Sequence, residues 1–65
     1  LALYNMYCSA MFNVAFRIVS NKTLAEEIMQ DSFLKAFTKL DSYSGKVTFG
    51  AWLKKIVINT SINEL

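Results

Sequence analysis

Near the C-terminal end, Trp52, Lys55, Asn59 and Asn63 follow one another at steps of three and four residues. That spacing places side chains on a single ridge of a helix. The ridge combines an indole, an ammonium and two amides. Such groups stack on bases, neutralise phosphates and hydrogen-bond base edges. A tryptophan at the edge of a helical core also serves plain packing, so the row carries the suggestion and the indole alone does not. A second set is Glu27, Gln30, Asp31 and Leu34. A lone exposed leucine is ordinary, but one inside a Glu-Gln-Asp patch has the form of an anchor with a polar rim. A solvated face and a docking face both fit this spacing. Tyr43 stands in the polar stretch 41–48 with Lys46 close by; its ring has a place either in a ligand contact or tucked against the protein.

Other chemistries are poorly supplied. There is no histidine and a single cysteine, Cys8. This removes the commonest general base, every imidazole-based triad and any zinc site of ordinary type. The chain is therefore expected not to be an enzyme and to need no metal or cofactor. One cysteine makes no internal disulfide, which fits a reducing, cytoplasmic setting. The net charge is only +2. Duplex DNA affinity rests on the number of phosphates neutralised, so a domain this mildly basic should hold a duplex poorly without help.

Three helices must position these groups, and the expected fold is an all-α three-helix bundle with a short loop between the second and third helices. Proline is absent, and both glycines fall at or near a loop. The first helix is expected over 1–19, with Asn5, Ser9, Asn13 and Arg17 as a polar stripe on an otherwise apolar surface. That stripe argues against a membrane span, and one arginine is too little for a membrane-surface helix. Ser20-Asn21-Lys22 breaks the chain. Thr23-Leu24-Ala25-Glu26 then has the form of a capping box, which starts the second helix at Leu24 and carries it to Leu40. Its core stripe is Ala25, Ile28, Met29, Phe33, Ala36, Phe37 and Leu40. The third helix starts at Phe49 behind a Thr48 cap and turns Phe49, Leu53, Ile56, Val57 and Thr60 inward.

With 65 residues, 54% of them apolar and 18% charged, the chain is one small domain with a real core and a sparsely charged surface. Some apolar surface is expected to be covered by a partner or by flanking chain. The start at Leu1 and the stop inside a helical run read as a piece, residues 1–65, of something longer, and no signal peptide is visible within it. From composition alone, a helical protein-interaction module that binds no nucleic acid explains the apolar excess equally well. It gives no reason for the Trp-Lys-Asn row.

The run Ala25-Glu26-Glu27-Ile28-Met29-Gln30-Asp31-Ser32-Phe33-Leu34-Lys35-Ala36-Phe37, followed by Phe49-Gly50-Ala51-Trp52-Leu53-Lys54-Lys55-Ile56-Val57-Ile58-Asn59, resembles region two of a bacterial RNA polymerase sigma factor. The compact loop and the Trp-Leu-x-x-Ile-x-x-Asn run resemble the extracytoplasmic-function class. The likeness extends to Ala15-Phe16-Arg17-Ile18-Val19. It implies a transcription initiation domain that binds core RNA polymerase and recognises and holds the melted minus-ten promoter element. Carried over by position, Glu27, Gln30 and Asp31 match the stretch that binds the clamp helices of the largest polymerase subunit. Tyr43, Ser44, Gly45 and Lys46 match the loop that captures an extruded base of the single-stranded non-template strand, and Trp52, Lys55 and Asn59 match DNA-facing positions.

The chain departs from that pattern in places. Leu24 and Glu27 stand where the family usually has aspartates, Ser44 stands where it often has arginine, and Lys55 often appears as arginine. Asn63 replaces an expected aspartate. The resemblance also implies an anti-sigma protein as a further partner, and a second domain, a helix-turn-helix, outside these residues.

Overall fold

A computed structural model describes residues 2–65, with side chains from residue 5 onward. Helix α1 covers Ala2–Val19, α2 covers Lys22–Thr38 and α3 covers Phe49–Asn63, with a 3-10 turn at Leu40–Ser42. Each helix packs on both of the others. The radius of gyration, 11.1 Å, is close to the roughly 11 Å of a compact chain of this length, so the three helices close on one core. Among the described residues, no helix is long and apolar enough to cross a membrane.

The core is built from the stripes that periodicity selects. Met11 and Ala15 come from α1, Ala25, Ile28, Met29, Phe33 and Ala36 from α2, and Leu53 and Val57 from α3. Asn5, Ser9, Asn13 and Arg17 all face solvent. Small residues at Ala15, Ala25 and Ala36, each fully buried, leave little side chain between the axes and let the helices approach. Phe37, Phe49 and Ile56 are half-buried against this core rather than inside it.

Two boundaries differ from the expectation. The second helix starts at Lys22, and its cap is Asn21, whose Oδ1 accepts the Leu24 amide at 2.9 Å. The break is only two residues long, because Ser20 reverses the chain with φ +53° while its amide still closes on the Phe16 carbonyl at 2.8 Å. Asn21 is then the first extended residue, and it takes the cap; Thr23 and Glu26 lie inside the helix, so the capping box is not formed. At the other end, the helix stops at Thr38. The tighter 3-10 turn that follows moves Leu40 off the helical register, and it is 43% exposed instead of buried.

Three small polar residues are buried as well. Ser61 Oγ donates to the Val57 carbonyl at 2.7 Å, and Thr60 Oγ1 accepts from Lys35 Nζ at 3.2 Å. Ser32, fully buried, has no hydrogen-bond partner for its hydroxyl. An unsatisfied buried hydroxyl costs about 1–3 kcal/mol, and alanine is also the better helix former. Ser32→Ala should therefore raise the melting temperature by about 4–8 °C, read by thermal circular dichroism. A lower melting temperature would show that the hydroxyl is satisfied in solution.

Candidate functional site

The outward face of α2 has the composition anticipated for it. Glu27, Gln30, Asp31 and Thr38 are exposed, and Leu34 stands 67% exposed in their midst. Asp31 is not idle, since it pairs with Lys35 one turn on at 3.2 Å. Both members are about half exposed, so water screens the pair and a partner can replace either side at little cost. Beside this face, α2 and α3 leave an open cleft of about 300 Å³. Leu24 and Ile28 give it apolar walls, and Glu27, Asp31 and Glu64 bring carboxylates to it. Glu64 is a contributor that reading the sequence missed. It lies past the last helical residue of α3, and only the packing of α3 on α2 carries it to the acids of α2. No local signal marks it. A cleft with this lining favours a basic side chain whose aliphatic stem can lie on Leu24 and Ile28.

The loop that leads to α3 is held at both ends. Ser42 Oγ donates to the Lys39 carbonyl at 2.7 Å, and the Tyr43 amide closes on the Leu40 carbonyl at 3.1 Å. The Tyr43 side chain then folds back, and its hydroxyl donates to the Val47 carbonyl. Between these points Ser44, Gly45 and Lys46 form an exposed tip. Gly45 has φ +79° with nothing near the missing Cβ. The residue is glycine for its backbone conformation, which L side chains avoid. Ser44 Oγ accepts the Lys46 amide at 3.4 Å, a weak local turn. Thr48 then caps α3 by accepting the Ala51 amide at 3.2 Å, as the sequence suggested.

Aromatic rings bind this loop to the bundle. Tyr43 lies 5.0 Å from Trp52 between ring centres and 6.0 Å from Phe49, which it meets edge-on. Phe49 in turn contacts Trp52 and the Tyr7 ring of α1, both at 5.7 Å. The Tyr7 ring fits because residue 50 is glycine; a Cβ there would lie 3.0 Å from it. Of the two alternatives for Tyr43 the tucked ring is the one observed, while the adjoining tip stays exposed. Trp52 is half-buried in the same way, and Lys55, Asn59 and Asn63 continue along α3 with exposed side chains. From Trp52 to Asn63 the row extends about 16 Å. The fold thus unites the loop with the start of the α3 row. The acidic cleft lies between α2 and α3 on residues the row does not use. Among the described residues, no cluster of three or more His, Cys, Asp or Glu side chains is arranged to hold a metal ion.

The family model described as Sigma-70 region 2 matches residues 3–65. The chain belongs to that family. It is 32% identical over 63 residues to an ECF RNA polymerase sigma-E factor of Haemophilus influenzae, an alignment covering 97% of this chain and 33% of that protein. Against the ECF RNA polymerase sigma factor SigW of Bacillus subtilis it is 27% identical over 63 residues, covering 97% of this chain and 34% of the other. Against the ECF RNA polymerase sigma-E factor of Escherichia coli it is 41% identical over 39 residues, 60% of this chain and 20% of that protein. The chain spans about a third of the length of the first two relatives. No solved structure matches it. The ECF region 2 assignment anticipated from the Ala25–Phe37 and Phe49–Asn59 runs is therefore correct, on an all-helical fold that carries both runs on helices.

Proposed function

We propose that this ECF region 2 domain docks on core RNA polymerase through Glu27, Gln30, Asp31 and Leu34. In this reading Tyr43, Ser44, Gly45, Lys46, Trp52, Lys55, Asn59 and Asn63 form the surface that recognises and holds the melted non-template strand of the minus-ten element. One observation supports it most. Two surfaces of opposite character stand on different elements, an acidic face with an exposed leucine on α2 and a Lys-Asn row with an exposed loop tip on α3. The acidic cleft, with Glu64 at its rim, suits the basic side chains of a protein partner. The α3 row and Lys46 suit a flexible anionic strand.

The energetics favour docking on polymerase first and strand capture second. Extruding a base costs a few kcal/mol, and a stacking or pocket contact returns about 1–3 kcal/mol. With a net charge of +2, the domain has little electrostatic surplus to tip the balance. Polymerase, by fixing the strand nearby, supplies it as effective concentration. An anti-sigma protein covering these two surfaces silences the domain by excluding both partners.

Exchanging Lys55 for Gln together with Asn59 for Ala separates the two roles. Retention of a melted promoter strand by the polymerase complex should fall at least about tenfold, and the salt slope should shrink by about 0.7 for the lost phosphate contact. Affinity for core polymerase should stay within about twofold. Parallel loss of polymerase binding would refute the division of labour, and undiminished strand retention would refute the α3 surface.

A further inference from the structure

The strand-holding surface contains two aromatic residues, and the simplest expectation for an aromatic on such a surface is that it stacks on a base. The geometry points to another task. Trp52 is half-buried, with the Tyr43 ring 5.0 Å away at a 33° tilt and the Phe49 ring 5.7 Å away. Tyr43 has the Phe49 ring edge-on at 6.0 Å besides Trp52, and its hydroxyl is engaged by the Val47 carbonyl. Phe49 is anchored through Tyr7 to α1. The rings therefore form a continuous chain from α1 to the loop, and each of the two aromatics already has ring partners.

We propose that Tyr43 and Trp52 are positioning residues: they close the loop over residues 43–47 and hold the tip Ser44–Lys46 ready for a strand, without stacking on a base themselves. The inference rests on the strand-holding reading and assigns the roles within it. A single hydroxyl-to-carbonyl bond spans the loop, and Trp52 is the shelf on which the closing ring lies. Ordering a loop costs conformational entropy residue by residue. A loop closed beforehand removes that cost from the binding step. The exposed tip, together with Val47 at 51% exposure, is what remains free to meet a base.

The test uses the domain of residues 1–65, in which Trp52 is the single tryptophan. One arm is limited trypsin digestion without DNA, with each cleavage site resolved by mass spectrometry. Tyr43→Phe keeps the ring and removes the hydroxyl. It should speed cleavage after Lys46 by about fivefold, the worth of one hydrogen bond, while cleavage after Lys22, Lys35 and Lys54 stays unchanged. Trp52→Ala should do the same, and Trp52→Phe should restore the slow rate. Equal acceleration at every site marks global unfolding; if Trp52→Ala behaves so, Tyr43→Phe decides. Unchanged cleavage after Lys46 in Tyr43→Phe overturns the proposal.

The second arm titrates the chain with a random-sequence single-stranded DNA 12-mer labelled with fluorescein. Binding should register in fluorescein anisotropy and leave Trp52 emission unaltered. Strong quenching of Trp52 means that it stacks on a base, which also overturns the proposal. A 12-mer carrying the melted promoter strand that binds neither this domain nor its complex with core polymerase sinks the strand-holding reading, and the digestion arm still decides whether Tyr43 and Trp52 hold the loop.

Discussion

Leu53→Ala should lower the melting temperature by at least about 10 °C and leave the domain partly unfolded at ordinary temperature. Leu53 is fully buried and belongs to the cluster where all three helices meet. Truncating such a leucine costs about 2–5 kcal/mol, the lost transfer energy plus the cavity left behind. At about 0.05–0.15 kcal/mol per residue, a chain of this length has roughly 3–10 kcal/mol in total. Trimming one side chain therefore removes a large share of the whole. Ala15, Ala25 and Ala36 around the core are already small and fully buried, and the close-packed helices cannot collapse much further to fill a void. The control is Leu65→Ala. That leucine is 79% exposed, and its loss should change stability by no more than about 0.5 kcal/mol. Thermal circular dichroism of both variants checks the prediction; similar melting temperatures would place the core elsewhere.

The opposite result is expected for the exposed leucine of α2. Leu34→Ala should leave folding stability unchanged or slightly higher, because alanine favours a helix at least as well and the leucine side chain is 67% exposed. Its effect should appear in the complex. Truncating a residue that serves as the hot spot of an interface costs about 2 kcal/mol or more, and that is the role assigned to Leu34. Affinity for core polymerase should therefore fall about thirtyfold. Glu27→Ala and Asp31→Ala, at the rim, should act more on the association rate and its salt dependence. Equilibrium binding of each variant to core polymerase provides the measurement. A loss of less than about threefold for Leu34→Ala would remove the leucine from the docking surface.

The contrast between the two leucines was legible from periodicity. Leu53 recurs with Val57 and Thr60 along one face of α3, whereas Leu34 falls opposite Ala25 and Ala36, and both placements hold. The Thr48 cap, the glycine-bearing loop and the outward row of Lys55, Asn59 and Asn63 were legible for the same reason. A helix of fixed pitch converts spacing directly into direction. Local competition was harder to read. Asn21 and Thr23 are both good caps, and the winner was settled by Ser20, whose left-handed backbone brings Asn21 into position first. Leu40 was misplaced because a 3-10 turn has a different pitch from the helix it follows.

The sequence alone thus determined three amphipathic helices, their inward and outward faces, and the family to which they belong. The helices and their faces follow from intervals of three and four residues, which need no knowledge of what lies across the bundle; the family follows from the likeness of the Ala25–Phe37 and Phe49–Asn59 runs. Tertiary structure decided what depends on contacts between elements distant along the chain. It brought Glu64 to the cleft beside Glu27 and Asp31, linked Tyr7 of α1 through Phe49 to Tyr43 and Trp52, and buried Ser32 without a partner. Pitch sets the direction in which a side chain leaves its own helix. What it meets there depends on how the helices cross, and that is set by the packing of all three together.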